Sequence, residues 1–173
     1  INQPPSVATV GGAQTICGGG TTTGLGGNTP TSGTGAWSVV SGGTGTFSNA
    51  VSPNATFTHT GGTGPIVVRW TISNAPCTAS TANVTITINP APTTATTGGP
   101  QTICSGGTTT GLGGNTPTTG AGAWSIVGGG TGSLANAGLP NSTFTHTGGT
   151  GPVVLRWTIS NAPCTATTAD VTV

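Results

Sequence analysis

Charge is nearly absent from this chain. Arg69, Arg156 and Asp170 are the only side chains among its 173 residues with a formal charge at neutral pH, against about a quarter in an ordinary soluble domain. Nucleic-acid binding needs a basic stripe with interleaved aromatics, and there is none. A divalent-cation cage needs clustered carboxylates, and the first half of the sequence contains no Asp or Glu. The same lack removes hydrolytic machinery, because a triad needs a carboxylate to orient its base. His59 has no such partner in its half of the sequence, and Asp170 in the second half replaces Asn83 of the first. No enzyme, no cofactor and no metal site are expected. No apolar run reaches the roughly 18 residues of a spanning helix, so no membrane insertion is expected either.

What is present repeats. Residues 56–78 read TFTHTGGTGPIVVRWTISNAPCT and return at 143–165 as TFTHTGGTGPVVLRWTISNAPCT. The offset is 87 residues and holds without a gap, so that 64 of the 86 aligned positions are identical. Ile1 aligns with Ile88, Cys17 with Cys104, Trp37 with Trp124, Arg69 with Arg156 and Cys77 with Cys164. A repeat of that length is one structural unit, long enough for a small core of its own. Two domains follow, 1–89 and 90–173. Two periods fill the chain all but one residue, which suggests a slice of a longer tandem array or a mature chain that polymerises.

Glycine makes up 33 of the 173 residues, a composition open to disorder. Regular alternation argues against it. In IVVRWTIS, Ile66, Val68, Trp70 and Ile72 share one face, while Val67, Arg69, Thr71 and Ser73 share the other. Burying the Trp face and wetting the Arg face is the economical choice. AWSVV places Trp37 and Val39 together, NATFTHT places Phe57 with His59, and TANVTITI turns Val84, Ile86 and Ile88 inward. QTIC (residues 14–17) reads as a short strand, and SGGTGTF as a turn. Residues 1–10 read as a Pro-rich linker and a weakly extended segment, and TTTGLGGNTPTSGTG as a loop held by Leu25. Trp37, Trp70, Trp124, Trp157, Phe57 and Phe144 are therefore expected in the cores. About seven short strands per module, with a Trp in an early-middle strand, predict an all-β chain of two tandem Ig-like β-sandwiches.

The four cysteines fall as one pair per module. Pairing Cys17 with Cys77 and Cys104 with Cys164 predicts a disulfide in each and an oxidising compartment. Each bridge would close a loop of about 60 residues and contribute about 2–4 kcal/mol.

The succession of an early IC-G-G, a middle AWS, a late RWTISNAPC and a closing VTITI resembles the PKD-like and Ig-like repeats of giant surface adhesins in gliding, Bacteroidetes-type bacteria. The resemblance covers both repeats and points to a repeat class. It implies long extracellular stalks or fibres at the cell surface, commonly exported by the type IX system, with a surface glycan as a partner at a tip outside this sequence.

Four polar residues stand out by rarity. Arg69 and Arg156 face outward on the strongest strand, with hardly a carboxylate in the chain to pair with. His59 and His146 read as strand-end residues bonded to a loop carbonyl. All four are candidates for contacts between modules or subunits. Low charge removes the repulsion that keeps copies apart, and Thr- and Gly-rich edges can pair between chains, so a homo-oligomer or fibre is expected. The Thr rows also raise an alternative, a binding face for ice or a neutral glycan.

Overall fold

A computed structural model describes residues 1–173, and every regular element in it is a strand. The chain divides into two compact units, Ile1–Asn89 and Pro90–Val173. In the first, β1 (Gln14–Cys17), β2 (Thr34–Ser41), β3 (Thr44–Phe47), β4 (Phe57–Gly61), β5 (Ile66–Asn74) and β6 (Cys77–Asn89) follow in order. One sheet has the order β1-β6-β5-β2, with β1 parallel to β6 and the other pairs antiparallel. The second layer is built on the antiparallel pair β3-β4. Residues 21–27 run along β4 without forming a regular strand: Thr21 bridges to Thr58, and the Thr22 and Leu25 amides donate to the Phe57 and Ala55 carbonyls, both at 2.9 Å. This is an Ig-like sandwich in which one of the seven strands is irregular.

The second unit repeats the plan with β7 (Ala121–Gly128), β8 (Thr131–Leu134), β9 (Phe144–Gly148), β10 (Val154–Asn161) and β11 (Cys164–Thr172). Its larger sheet has the order β11-β10-β7, beside the pair β8-β9. It has no counterpart of β1. Six regular strands in one unit and five in the other replace the expected seven. SGGTGTF is also no simple turn, because Thr44–Phe47 forms β3.

Each unit closes over its own core. Along β5, Ile66, Val68, Trp70 and Ile72 are fully buried and alternate with half-exposed neighbours, as a strand between a core and water requires. Burial of each such aliphatic side chain contributes about 1.5–3 kcal/mol. Leu25 and Phe57, both fully buried, reach the same cluster from the other layer, and Trp37 and Ala55 complete it. The Trp37 and Trp70 rings lie 5.1 Å apart, and Phe47 lies 5.3 Å from Phe57. Trp124, Trp157, Phe144, Leu112 and Leu155 rebuild that cluster in the second unit. The Trp37 indole N–H reaches the Ser52 carbonyl at 3.1 Å and that of Trp124 reaches Pro140 at 3.0 Å, whereas the buried Trp70 and Trp157 N–H groups have no partner.

The expected disulfides within each module do not form. Cys77 and Cys104 are free thiols, while Cys17 and Cys164 are disulfide-bonded. Strand polarity explains the error. Because β1 runs parallel to β6, Cys17 pairs with Asn89, at the far end of β6 from Cys77. Twelve steps at about 3.3 Å separate those ends by about 40 Å, and a disulfide needs its Cα atoms within about 7 Å. In the second unit the Gln101 amide reaches Thr172, at the far end of β11 from Cys164, so Cys104, three residues on, lies far from Cys164 as well.

Candidate functional site

The features that distinguish a module lie at its two poles and along the polar face of its central strand. At the entry pole of the first unit, Cys77 opens β6 directly after the β5–β6 turn. Its thiol donates to the Gln3 carbonyl at 3.5 Å and lies 3.8 Å from that of Asn2. The Asn74 amide donates to Gln3 at 2.8 Å and the Asn2 amide to Ala75 at 3.0 Å, so the incoming chain is fastened to this turn. The second unit has the same arrangement, with the Asn161 amide donating to the Pro90 carbonyl at 2.8 Å and Cys164 Sγ at 3.3 Å from that carbonyl.

At the exit pole of the first unit, the β1 residue Ile16 pairs with Ile88 and Cys17 with Asn89, and the Gly18 amide donates to Asn89 at 3.0 Å. Ile88 packs against the core from this end. In the second unit the Gln101 amide donates to the carbonyl of Thr172, the last residue of β11, at 3.0 Å. A cavity of about 340 Å³ in this unit is lined by Ile103, Cys104, Phe144, His146, Val153 and Val173 among others.

The histidines stand beside the exit poles. His59 is buried, its Nδ1 accepts from the Gly19 amide at 3.0 Å, and it therefore carries its proton on Nε2, which donates to Gly62 at 3.1 Å. In the second unit the Gly106 amide approaches His146 Nδ1 at 3.4 Å. Both rings pin the glycine turn that follows the first cysteine of their module, which is a bracing role.

The arginines lie where alternation puts them, on the open face, but neither lacks a partner. Arg69 Nε donates to Asn83 Oδ1 at 2.9 Å. Arg156 takes the carboxylate that the second unit supplies at the same register: Nε donates to Asp170 Oδ1 at 2.7 Å and Nη2 to Oδ2 at 2.9 Å. The expectation that a carboxylate partner is hardly to be found in the chain is corrected for Arg156. The Arg156 hydrogen bonds hold the Asp170 carboxyl below the usual aspartate range, and Asp170 raises the guanidinium in turn. Both groups are about 40% exposed, so the pair stabilises only weakly.

The threonine rows bond largely to each other across strands. Thr21 and Thr58 share a hydrogen bond at 2.9 Å, Thr60 donates to Thr44 at 3.2 Å, and Thr108 meets Thr145 at 2.8 Å. Sequence reading missed a further set of positioning residues, the neutral amides. Gln14 accepts from the Thr23 amide and hydroxyl at 2.9 and 3.0 Å, and Asn28 accepts from the Thr9 amide at 2.8 Å while donating to Val7 at 2.9 Å. Gln101 and Asn115 repeat both brackets. Recurrence of these amides at the 87-residue offset was the available signal.

No protein-family model matches the chain, and no curated protein matches it. Among solved structures it is similar to the insect immune protein hemolin, at 13% identity and a TM-score of 0.46 over 96% of this chain and 46% of that one. The N-terminal Ig1-2 module of the Drosophila receptor protein tyrosine phosphatase DLAR is 14% identical, with a TM-score of 0.36 over 98% of this chain and 97% of that one. Mouse cadherin-23 EC22-24 is 11% identical, with a TM-score of 0.40 over 99% and 65%. The chain thus spans less than half the length of the hemolin structure.

Proposed function

We propose that this chain is a structural repeat of a long extracellular adhesin or fibrous cell-surface appendage, whose modules act as stalk or fibre and associate with their own copies. The observation that carries this reading is the polarity of a single module. The chain enters the first unit beside Cys77 and leaves it at Asn89, the opposite end of a 13-residue strand. A unit that takes in its chain at one end and releases it at the other can be strung without limit, and each copy advances the thread by about 40 Å. Two near-identical, self-contained cores fit such use, because neither needs a tailored neighbour to close it.

Self-association is supported by the outer strands. β2 and β7 each pair on one side only, and neither carries a charge or a proline. Val40, Ile126 and Val127 are exposed on them. Natural edges are usually blunted by charged side chains or proline, and these are not. The reading extends to an extracellular place, where a disulfide persists, to type IX export by a gliding bacterium, and to a glycan ligand held elsewhere in the assembly.

Electron microscopy of native material from the producing cell surface tests the proposal. Fibres with an axial repeat of about 40 Å per module are expected. Isolated flexible strings would keep the stalk and remove polymerisation, and compact single particles would overturn both. Thermal hysteresis or glycan capture by the isolated chain would instead favour a binding face on the Thr rows.

A further inference from the structure

Only one of the differences between the two modules changes a charge. In each module a central strand of the larger sheet, β5 or β10, carries an arginine on its open face. The residue opposite on the next strand is Asn83 in the first unit and Asp170 in the second. Arg156 is closed by that carboxylate, with Nε donating to Oδ1 and Nη2 to Oδ2. Arg69 meets an amide instead, and its one hydrogen bond runs from Nε to Asn83 Oδ1 at 2.9 Å. The first unit contains no Asp or Glu to engage the rest of the group. A guanidinium has five N–H donors in a planar fork that matches a carboxylate. Arg156 shows that fork occupied. Arg69 presents the same group, steered through Nε by Asn83, with its Nη edge free.

We infer that Arg69 anchors a binding site for an acidic polysaccharide, one of whose uronate carboxylates docks on the free Nη edge. This adds to the stalk reading and does not rest on it. The surroundings of Arg69 favour such an occupant. Ser38 stands opposite it on β2, Thr71 follows it on the same face of β5, and Thr85 neighbours Asn83 on the open face of β6. The hydroxyls of these three residues form no hydrogen bond within the chain, whereas in the other layer Thr21 bonds to Thr58 and Thr60 to Thr44. A protein partner is usually held by aromatic or arginine anchors in desolvated pockets. Here the four aromatics of the unit all pack in or against its core, and none is left for this face. A sugar acid brings hydroxyls for the free hydroxyls and an anion for the one cation. An exposed carboxylate–guanidinium pair is weak by itself. A polymer that repeats its carboxylate on every sugar compensates by rebinding and by reaching several copies of the module at once.

The test is an NMR titration of the full chain with oligogalacturonate, beside its methyl ester as the uncharged match. The chain has two arginines, so its arginine Nε–H region holds two signals. The Arg69 signal should move saturably with the acid, and less as salt is raised. The Arg156 signal should stay in place, and the ester should move neither. Two substitutions each copy the residue of the sister module and so suit the fold. Asn83→Asp should close Arg69 and abolish the response. Asp170→Asn should open Arg156 and raise the number of sites per chain from one to two. A silent Arg69 signal, or a single site in Asp170→Asn, would overturn the inference. Equal movement with the ester overturns it in favour of the hydroxyls alone, and equal movement with monomeric galacturonate at the same carboxylate concentration reduces it to simple ion pairing. A stronger response to polyglutamate would replace the sugar by an acidic protein. Movement on concentrating the protein without sugar would give Arg69 to Asp170 of a second copy.

Discussion

Packing across the β2–β5 pair makes a prediction at Gly35. A Cβ on Gly35 would stand 2.0 Å from Cζ2 of Trp70, 2.5 Å from Cη2 and 2.8 Å from Cε2. The indole cannot yield, because Trp70 is fully buried, Gly27 lies close enough that a Cβ on it would stand 3.1 Å from the ring, and Trp37 packs against it at 5.1 Å, tilted by 41°. Gly35→Ala therefore overpacks the core, at about 1–3 kcal/mol. The lower backbone entropy of the unfolded Ala chain returns about 0.4–1 kcal/mol of that. A net loss of about 1–2 kcal/mol lowers the Tm of a module this size by roughly 5–15 °C. The assay is thermal unfolding of the full chain followed by near-ultraviolet circular dichroism, which reports the indoles. Gly12→Ala is the control, because a Cβ there meets nothing within 4 Å. It should melt at or slightly above the wild-type temperature. Gly122→Ala, 2.1 Å from Trp157, should repeat the Gly35 result in the second module. Equal melting of Gly35→Ala and Gly12→Ala would refute the claim that the Trp ring is pressed on the sheet backbone.

Three further outcomes follow from the hydrogen bonds. Thr22 accepts the buried Phe57 amide at 2.9 Å, so Thr22→Val should cost about 1–3 kcal/mol in urea unfolding through the orphaned donor, while Thr22→Ser stays close to wild type. Asp170 has its pKa depressed by Arg156, so the pair's contribution is complete above the unfolded value of about 3.9 and is lost as pH falls through the lower folded value. A carboxyl titration followed by carbon NMR should have its midpoint below that reference, and Asp170→Asn should remove the acid sensitivity that the Asn83-bearing first module lacks; a midpoint at or above the reference refutes the pairing. Asn28→Asp keeps the acceptor for Thr9 but sets an oxygen against the Val7 carbonyl where an N–H now donates. It should lose about 1–3 kcal/mol at neutral pH and regain part of it near pH 3, where the protonated carboxyl can donate again; equal urea midpoints at the two pH values would contradict the bracket.

The strands with a buried face were legible because a period of two needs only the order of residues. Ile66, Val68, Trp70 and Ile72 announce their face, and the structure buries all four. β3 was read as a turn because TGTF holds a glycine where strands usually carry a side chain. Gly45 occupies that place because the Phe57 ring fills it, with Cζ 2.1 Å from where a Cβ would stand. The cysteine pairing was illegible for a different reason. Counting and spacing gave one pair per module, but whether two residues meet depends on strand direction, and a parallel β1–β6 pair carries Cys17 away from Cys77. Arg156 was misjudged because Asp170 was weighed only as a catalytic group; two facing strands at one register turn it into a partner.

The near-neutral surface and the polarity of a module bear on one problem of the proposed fibre. A module with one or two charged side chains buries few ions when copies meet, but it also gives up most of the usual means of rejecting wrong partners. Open, uncharged edges such as β2 and β7 can pair in several registers, since a ladder of backbone groups is nearly the same at every second residue. Lateral contact alone would therefore give disordered bundles. The two poles of a module differ in kind: in the first unit the chain enters beside Cys77 and leaves at Asn89, the opposite end of β6. Such a pair is heterologous, and a heterologous contact that does not close into a ring propagates as a filament. In the fibre proposed above, direction would be set by the poles, and the edges would add lateral contact only to threads already aligned.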